Sequence, residues 1–258
     1  MSPMIAKPAE SAAGVCRLCQ QRRKLRNSHI ISEFNYKPMY DDLNRLMMIS
    51  TDPNTKIRYP QKGLREKLLC DECEGRLSKH EKYVGEFLYG RGTFRGSRDR
   101  SKCYLSGLDY TSVRLYFLSI LWRMSVSSLS MFESVSLGPH EKTIRNYLLH
   151  DDPGEPGEYG FLCFVPLIEG KLYGDVILPP EIGRFRDYRV YGVVIGGLYY
   201  QFFVSSHKIP DEIQQGFIQK NGEWVWHKRD AHRIPYIDRL FGEFGEAERK
   251  RHLQQRGL

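Results

Sequence analysis

Four of the six cysteines fall in two Cys-x-x-Cys pairs, "CRLC" at 16–19 and "CDEC" at 70–73. No other feature restricts what this chain can fold into so tightly. Each pair forms a knuckle that offers two thiolates, and two knuckles complete the tetrahedral sphere of one zinc ion. Fifty residues lie between Cys19 and Cys70. That is long for one zinc unit, but the entropy of closing a loop grows only with the logarithm of its length. The leading stretch "MSPMIAKPAESAAG" has no apolar core of the signal-peptide kind. A reducing, cytoplasmic setting is therefore expected, where paired thiols bind metal rather than oxidise. Neither pair has the context of a redox motif. Four thiolates leave no position for water, so zinc here would be structural. Its binding would contribute on the order of 10 kcal/mol to the folding of so small a core. Cys103 and Cys163 stand apart from both pairs.

Between the pairs lies "RNSHIISEF", residues 26–34, a short strand pattern with His29 at its head. An insert follows in which two strand-like arms of "NRLMMISTDPNTKIRYP" flank the turn "DPNT". The second pair opens a helix, with Leu77, Val84, Phe87 and Leu88 at helical spacing. Gly75 and Gly85 weaken that helix by about 1 kcal/mol each. The order knuckle, strand, insert, knuckle, helix predicts a treble-clef-like ββα zinc module over residues 14–90.

The rest divides by composition. Residues 1–13 read as a disordered tail. Residues 91–108, with three glycines and five basic side chains in "GRGTFRGSRDRSK", read as a flexible basic linker. Residues 109–258 read as an α+β domain. Its first segment, "YTSVRLYFLSILWRMSVSSLSMF" at 110–132, is apolar enough to suggest a membrane span. Arg114, Arg123 and the serines argue for a buried helix instead, and for a protein with no membrane partner. Pro139 is placed to start another helix. Residues 151–160 are loop-like. Beyond them, β-branched and aromatic runs broken by Gly and Pro predict strands, with "GGL" turning "YRVYGVVI" onto "LYYQFFVSS" as a hairpin. A charged helix is expected to follow "IPYID". The fold class is thus α+β: a zinc module, a helical segment and a mainly antiparallel β region.

Charge is unevenly placed. Residues 1–108 carry a net +9 and residues 109–258 a net −1, so the whole excess of +8 belongs to the cysteine-bearing half. This asymmetry points to a polyanion, with Arg91, Arg95, Arg98, Arg100 and Lys102 as candidate phosphate contacts.

The pieces "CRLC", "SHIIS" and "LLCDECEGRL" together resemble the four-cysteine zinc form of the HNH (His-Me finger) nucleases, over about residues 14–85. They are also similar to bacterial HNH-like proteins that carry Ser-His-Ile-Ile and a Glu after the second knuckle. The resemblance implies metal-dependent hydrolysis of a nucleic-acid phosphodiester, with DNA the expected substrate and His29 the general base. It also implies a second, catalytic ion, magnesium or manganese, distinct from the zinc. Bacterial nucleases of this build often act in defence against phage. Two positions depart from the family pattern. Ser28 stands where an aspartate usually precedes the base, and Glu74 stands where Asn or His usually follows the knuckle. Glu74 is the expected ligand of the catalytic ion, with Ser28 and His80 as further candidates. His80 and Glu81 each lie seven residues, about 10 Å, along the helix from Cys73 and Glu74 respectively. Asn27 and Asn35 flank the histidine strand and could add an oxygen.

A second reading is a zinc module that grips nucleic acid without cutting it, and a third is an adaptor in which zinc only organises structure. Residues 109–258 would then engage a partner protein or ligand, and cutting both strands of a duplex would call for a homodimer.

Overall fold

The structure, a computed structural model, describes residues 13–90 and 95–255. The expected tail, apart from Ala13, and Arg91 lie outside the described residues. The fold is mixed α+β, with a mainly antiparallel sheet and a helix at its C-terminal end.

The cysteine-bearing part is a three-stranded antiparallel sheet in the order of the chain: β1 (Ala13–Val15), β2 (Arg22–His29) and β3 (Arg65–Cys70). The β2–β3 register slips between Leu25 and Asn27, which leaves Leu68 and Leu69 without ladder partners. Their polar groups are satisfied locally: Arg17 N–H donates to the Leu68 carbonyl at 3.0 Å, and Leu69 N–H to the Ser28 hydroxyl at 3.1 Å. The expected insert arms make only isolated bridges, Met48↔Arg58 and Arg45↔Gln61, rather than strands.

Helix α1 (Asp71–Leu88) follows β3 directly. Three acids in its first turn, Asp71, Glu72 and Glu74, suit the positive end of the helix dipole. Cys73, Leu77, His80, Val84 and Phe87 form its buried stripe. Gly85 lets the Phe34 ring pack closely on the helix: a Cβ there would lie 3.1 Å from that ring.

Part of the expected linker, residues 95–106, forms paired strands. After the undescribed residues, β4 (Arg95–Arg98) and β5 (Lys102–Ser106) form a hairpin that joins a seven-stranded sheet. Asp99 closes its turn, accepting from the N–H groups of Ser101 and Lys102. Composition pointed to a linker because edge strands of this kind are polar on both faces. All four β4 residues are exposed.

Helix α2 (Tyr110–Val126) is capped by Asp109 and buried on nearly every side, as a central helix must be. It is shorter than the apolar run: Ser127 is extended, and the hydroxyls of Ser127 and Ser128 bond Glu66 on β3. Arg114 is fully buried. Its guanidinium donates to the carbonyls of Pro153, Glu155, Glu158 and Tyr159, which pins the 151–160 loop. Helix α3 (His140–His150) starts directly after Pro139 and packs on α2.

Five strands complete the large sheet: β6 (Phe161–Leu167), β7 (Ile177–Phe185), β8 (Tyr188–Ile195), β9 (Leu198–Phe203) and β10 (Trp224–Asp230). The order is β4-β5-β10-β6-β9-β8-β7. Only β10 and β6 run parallel, with Trp226 opposite Cys163. One face packs on α2, where Phe117 meets Phe161, Tyr200, Phe202 and Trp224. The other face is covered in part by the short α4 (Asp211–Gln214) and by α5 (Pro235–Gln255). A single buried cluster runs from Cys16 through α2 to Trp224, so both halves share one core. No helix among the described residues is long and apolar enough to cross a membrane.

The β8–β9 hairpin turns on Gly196 and Gly197, both at positive φ, the geometry of tight two-residue turns. A Cβ on Gly197 would sit 2.0 Å from the Tyr173 carbonyl oxygen. Gly197→Ala is expected to lower the unfolding free energy by about 2 kcal/mol or more. A urea melt superimposing on wild type would contradict this account of the turn.

Candidate metal centre and the His29 cluster

Cys16 and Cys19 lie in the turn between β1 and β2. Cys70 ends β3, and Cys73 sits in the first turn of α1. The turn closes through Gln20 N–H to the Cys16 carbonyl at 2.9 Å, with Gln20 at φ 61°. The four sulfur atoms lie within 4.8 Å of one another, and Cys19 Sγ and Cys70 Sγ are 3.9 Å apart. That is too far for a disulfide. It is close to the sulfur spacing of about 3.8 Å that follows from Zn–S bonds of about 2.3 Å at tetrahedral angles. The donor set, the spacing and the burial fit, so the cluster could hold a zinc ion.

The thiols are also electrostatically linked. A hydrogen bond from Cys73 brings the Cys16 thiol down to about 4, while that same bond and burial push Cys73 up. Burial raises Cys19. One thiolate is thus favoured through its neighbours even without a cation, and a divalent ion would relieve the rest. The N-terminus of α1 beneath Cys70 and Cys73 adds its dipole to the same effect.

His29 is the last residue of β2, with its side chain about one quarter exposed. Its Nε2 lies 2.5 Å from Glu33 Oε2, although neither atom has a partner of hydrogen-bond geometry. Tyr40 donates its hydroxyl to the other Glu33 oxygen at 2.8 Å. Burial lowers the His29 pKa; Glu33 opposes this, and the nearby charges of Arg65, Glu81 and Arg123 add smaller effects. Burial thus favours the neutral imidazole.

Arg123 of α2 is the centre of the arrangement. It is buried, donates to the His29 carbonyl at 2.8 Å and pairs with Glu81 of α1. Glu74 lies within electrostatic reach of the same guanidinium. Burial raises the Glu74 carboxyl, against the pull of Arg123 and a hydrogen bond from Ser28. Its Oε1 is buried with no hydrogen-bond partner among the described residues.

The expected site residues therefore separate into groups. His29 meets Glu33, with Glu81 near by. Ser28 meets Glu74 and is held by Leu69 N–H. Arg123 joins the two sets. His80 belongs to neither: its ring lies 3.3 Å from the Ser112 hydroxyl and 3.4 Å from Asp151, where α1, α2 and α3 meet. Six residues of helix carry it about 120° around from Glu74, which the seven-residue spacing from Cys73 did not reveal. Asn35 is buried against Tyr116 and the Ser32 carbonyl. Arg95, Arg98, Arg100 and Lys102 stand on the β4–β5 hairpin of the large sheet. Glu33 and Arg123 were not expected. Glu33 is an acid four residues after the histidine, and Arg123 interrupts an otherwise apolar helix; each is a signal that could have found it.

Comparison with models of known protein families, with curated proteins and with solved structures gives no match for this chain.

Two measurements follow. Purified protein is expected to carry about one zinc per chain, and Cys70→Ser to lose it; equal zinc in wild type and variant, read by atomic absorption, would exclude this site. The second concerns Asp151, which ties α3 to α1 through Arg76, Lys79 and His80. Burial alone would raise its carboxyl, but bonds from Lys79 and His80 and the charges of Lys79 and Arg76 lower it overall. A lowered folded pKa stabilises the fold above the unfolded value, about 3.9, and that stability is lost as pH falls through the folded one. Asp151→Asn should accordingly flatten the acid limb of a stability-against-pH curve, and an unchanged limb would count against the ion pairs.

Proposed function

We propose that this chain is an HNH-type nuclease, with a treble-clef zinc unit that presents His29 as general base toward a nucleic-acid phosphodiester. Glu33 and Glu81 act on His29 together with Arg65 and Arg123. The observation that carries the reading is Glu74 beside this cluster, near Arg123, Glu81 and Arg26, which keeps a buried oxygen without a hydrogen-bond partner among the described residues. A buried carboxylate oxygen in that condition costs free energy until a cation or a proton reaches it. Oxygen donors suit a hard divalent ion.

In this reading the neutral His29 imidazole takes a proton from water. Glu33 orients the ring and favours the imidazolium that results, and Tyr40 holds Glu33. Arg123 neutralises Glu81 and fixes the His29 backbone. Glu74 offers its free oxygen to the ion, in place of the aspartate that Ser28 replaces. Magnesium or manganese, when bound, supplies charge stabilisation at the phosphoryl and leaving oxygens. Zinc at the cysteines takes no part beyond holding β2 and α1 together. The excess positive charge of residues 1–108 suits DNA as substrate.

One observation favours a non-cutting nucleic-acid binder instead. Arg123 already sits among the carboxylates and could occupy the electrostatic role of the ion.

The test is cleavage of supercoiled plasmid, single-stranded DNA and RNA in EDTA, magnesium and manganese, with zinc content matched between proteins. Wild type should nick in a metal-dependent way. His29→Ala should lose at least about a hundredfold in rate, and Glu74→Gln should raise the metal concentration needed. Cleavage by wild type and His29→Ala alike would remove the base. No cleavage, together with salt-sensitive binding, would favour the binder.

A further inference from the structure

The sheet face turned away from α2 is covered in two places. Residues of α5 pack over Leu178, Val194 and Tyr199, and residues 209–217 pack over Leu162, Val190 and Phe203. Phe164 borders both clusters. Beside it opens a pocket of about 360 Å³.

Strand register builds the floor of this pocket. Lys102 on β5 is opposite His227 on β10, and His227 is opposite Phe164 on β6. Opposed residues share a sheet face. A cation, an imidazole and a phenyl ring therefore stand in one row across three strands. The two rings are 5.6 Å apart and inclined by 38°. The two-residue period of β10 puts Arg229 on the same face as His227, at the rim.

The charge in this concavity is unbalanced. Arg186, also at the rim, is paired with Glu212 at 3.0 Å. Neither Lys102 nor Arg229 has an ion pair among the described residues. Burial, then the Lys102 and Arg229 charges, lower the His227 pKa, so both cations lie within electrostatic reach of the imidazole. Unpaired cations beside half-buried rings that line the pocket match a ligand with a negative group and a flat ring. The volume lies within the range of small-ligand sites.

We propose that this pocket binds a nucleotide, with its phosphate on Lys102 and Arg229 and its base against Phe164 and His227. A free nucleoside monophosphate and a nucleotide unit of a single strand offer this same chemistry. The inference requires neither zinc nor His29, so its failure leaves the nuclease reading standing.

The test is calorimetric titration of the full chain with AMP, CMP, GMP and UMP. Adenosine, inorganic phosphate and short single-stranded DNA and RNA oligonucleotides serve as further probes. At least one monophosphate or oligonucleotide should bind about tenfold or more tighter than adenosine and phosphate. Lys102→Gln and Arg229→Gln should each weaken that binding by about tenfold, with zinc content and melting temperature unchanged. An oligonucleotide that binds more tightly than every monophosphate, and loses the difference in both variants, identifies a strand as the source. The reverse order identifies a free nucleotide. No probe binding better than phosphate, or binding that survives both substitutions, would overturn the proposal.

Discussion

A guanidinium buried in an apolar helix organises the centre of this molecule. Arg123 lies inside α2, where an uncompensated charge would cost several kcal/mol. It is compensated by Glu81 of α1, by the His29 carbonyl of β2 and by the Ser119 hydroxyl of its own helix. The partners come from three elements, so those elements cannot move apart without exposing the charge to a dry environment. Arg123 thereby fixes the histidine strand relative to α1, and both relative to the large sheet that α2 supports. Arg114, one end of the same helix away, does the corresponding job for the 151–160 loop with carbonyls alone.

The cysteine cluster works on a different cost. Its two knuckles are separated by fifty residues, and between β2 and β3 these form only two single 3-10 turns and isolated bridges. Fixing such a segment consumes conformational entropy that its few bridges cannot offset. Four sulfurs drawn to one point would close the loop covalently in effect, and the bulge between β2 and β3 lets the first knuckle hydrogen-bond the second strand at Leu68. The metal centre and the arginine thus support the same strand from opposite ends.

Much of this was legible in the sequence, and the reasons differ by element. The cysteine spacing located one candidate metal centre because thiolate coordination needs few residues at fixed offsets. The α1 stripe, the apolar α2 and the Gly-Gly hairpin were legible because each carries a strong local period or turn. The β4–β5 hairpin was not, because β4 is an edge strand whose side chains face water and β5 is short and only partly buried, and such strands look like loops. His80 shares the buried stripe of Cys73, as its seven-residue spacing implies, but its partners Ser112 and Asp151 come from elements that spacing along α1 does not announce. Glu33 and Arg123 escaped because their importance lies in contacts between elements distant in sequence. The clustering of Lys102, Arg229 and His227 could not be read at all, since it follows from a parallel pairing that no local pattern announces.

That pairing of β10 with β6 also governs the order in which the molecule can be assembled. Strand β10 lies between β5 and β6, yet Ser106 and Trp224 are 118 positions apart along the chain. During synthesis the edges of β5 and β6 that β10 will join stay open until the ribosome has delivered Trp224. Such long-range closure makes for slow folding and a prolonged risk of wrong pairing. The outer edge of the same hairpin, β4, is exposed and carries Arg95 and Arg98, whose like charges disfavour strand addition by a second copy of the chain.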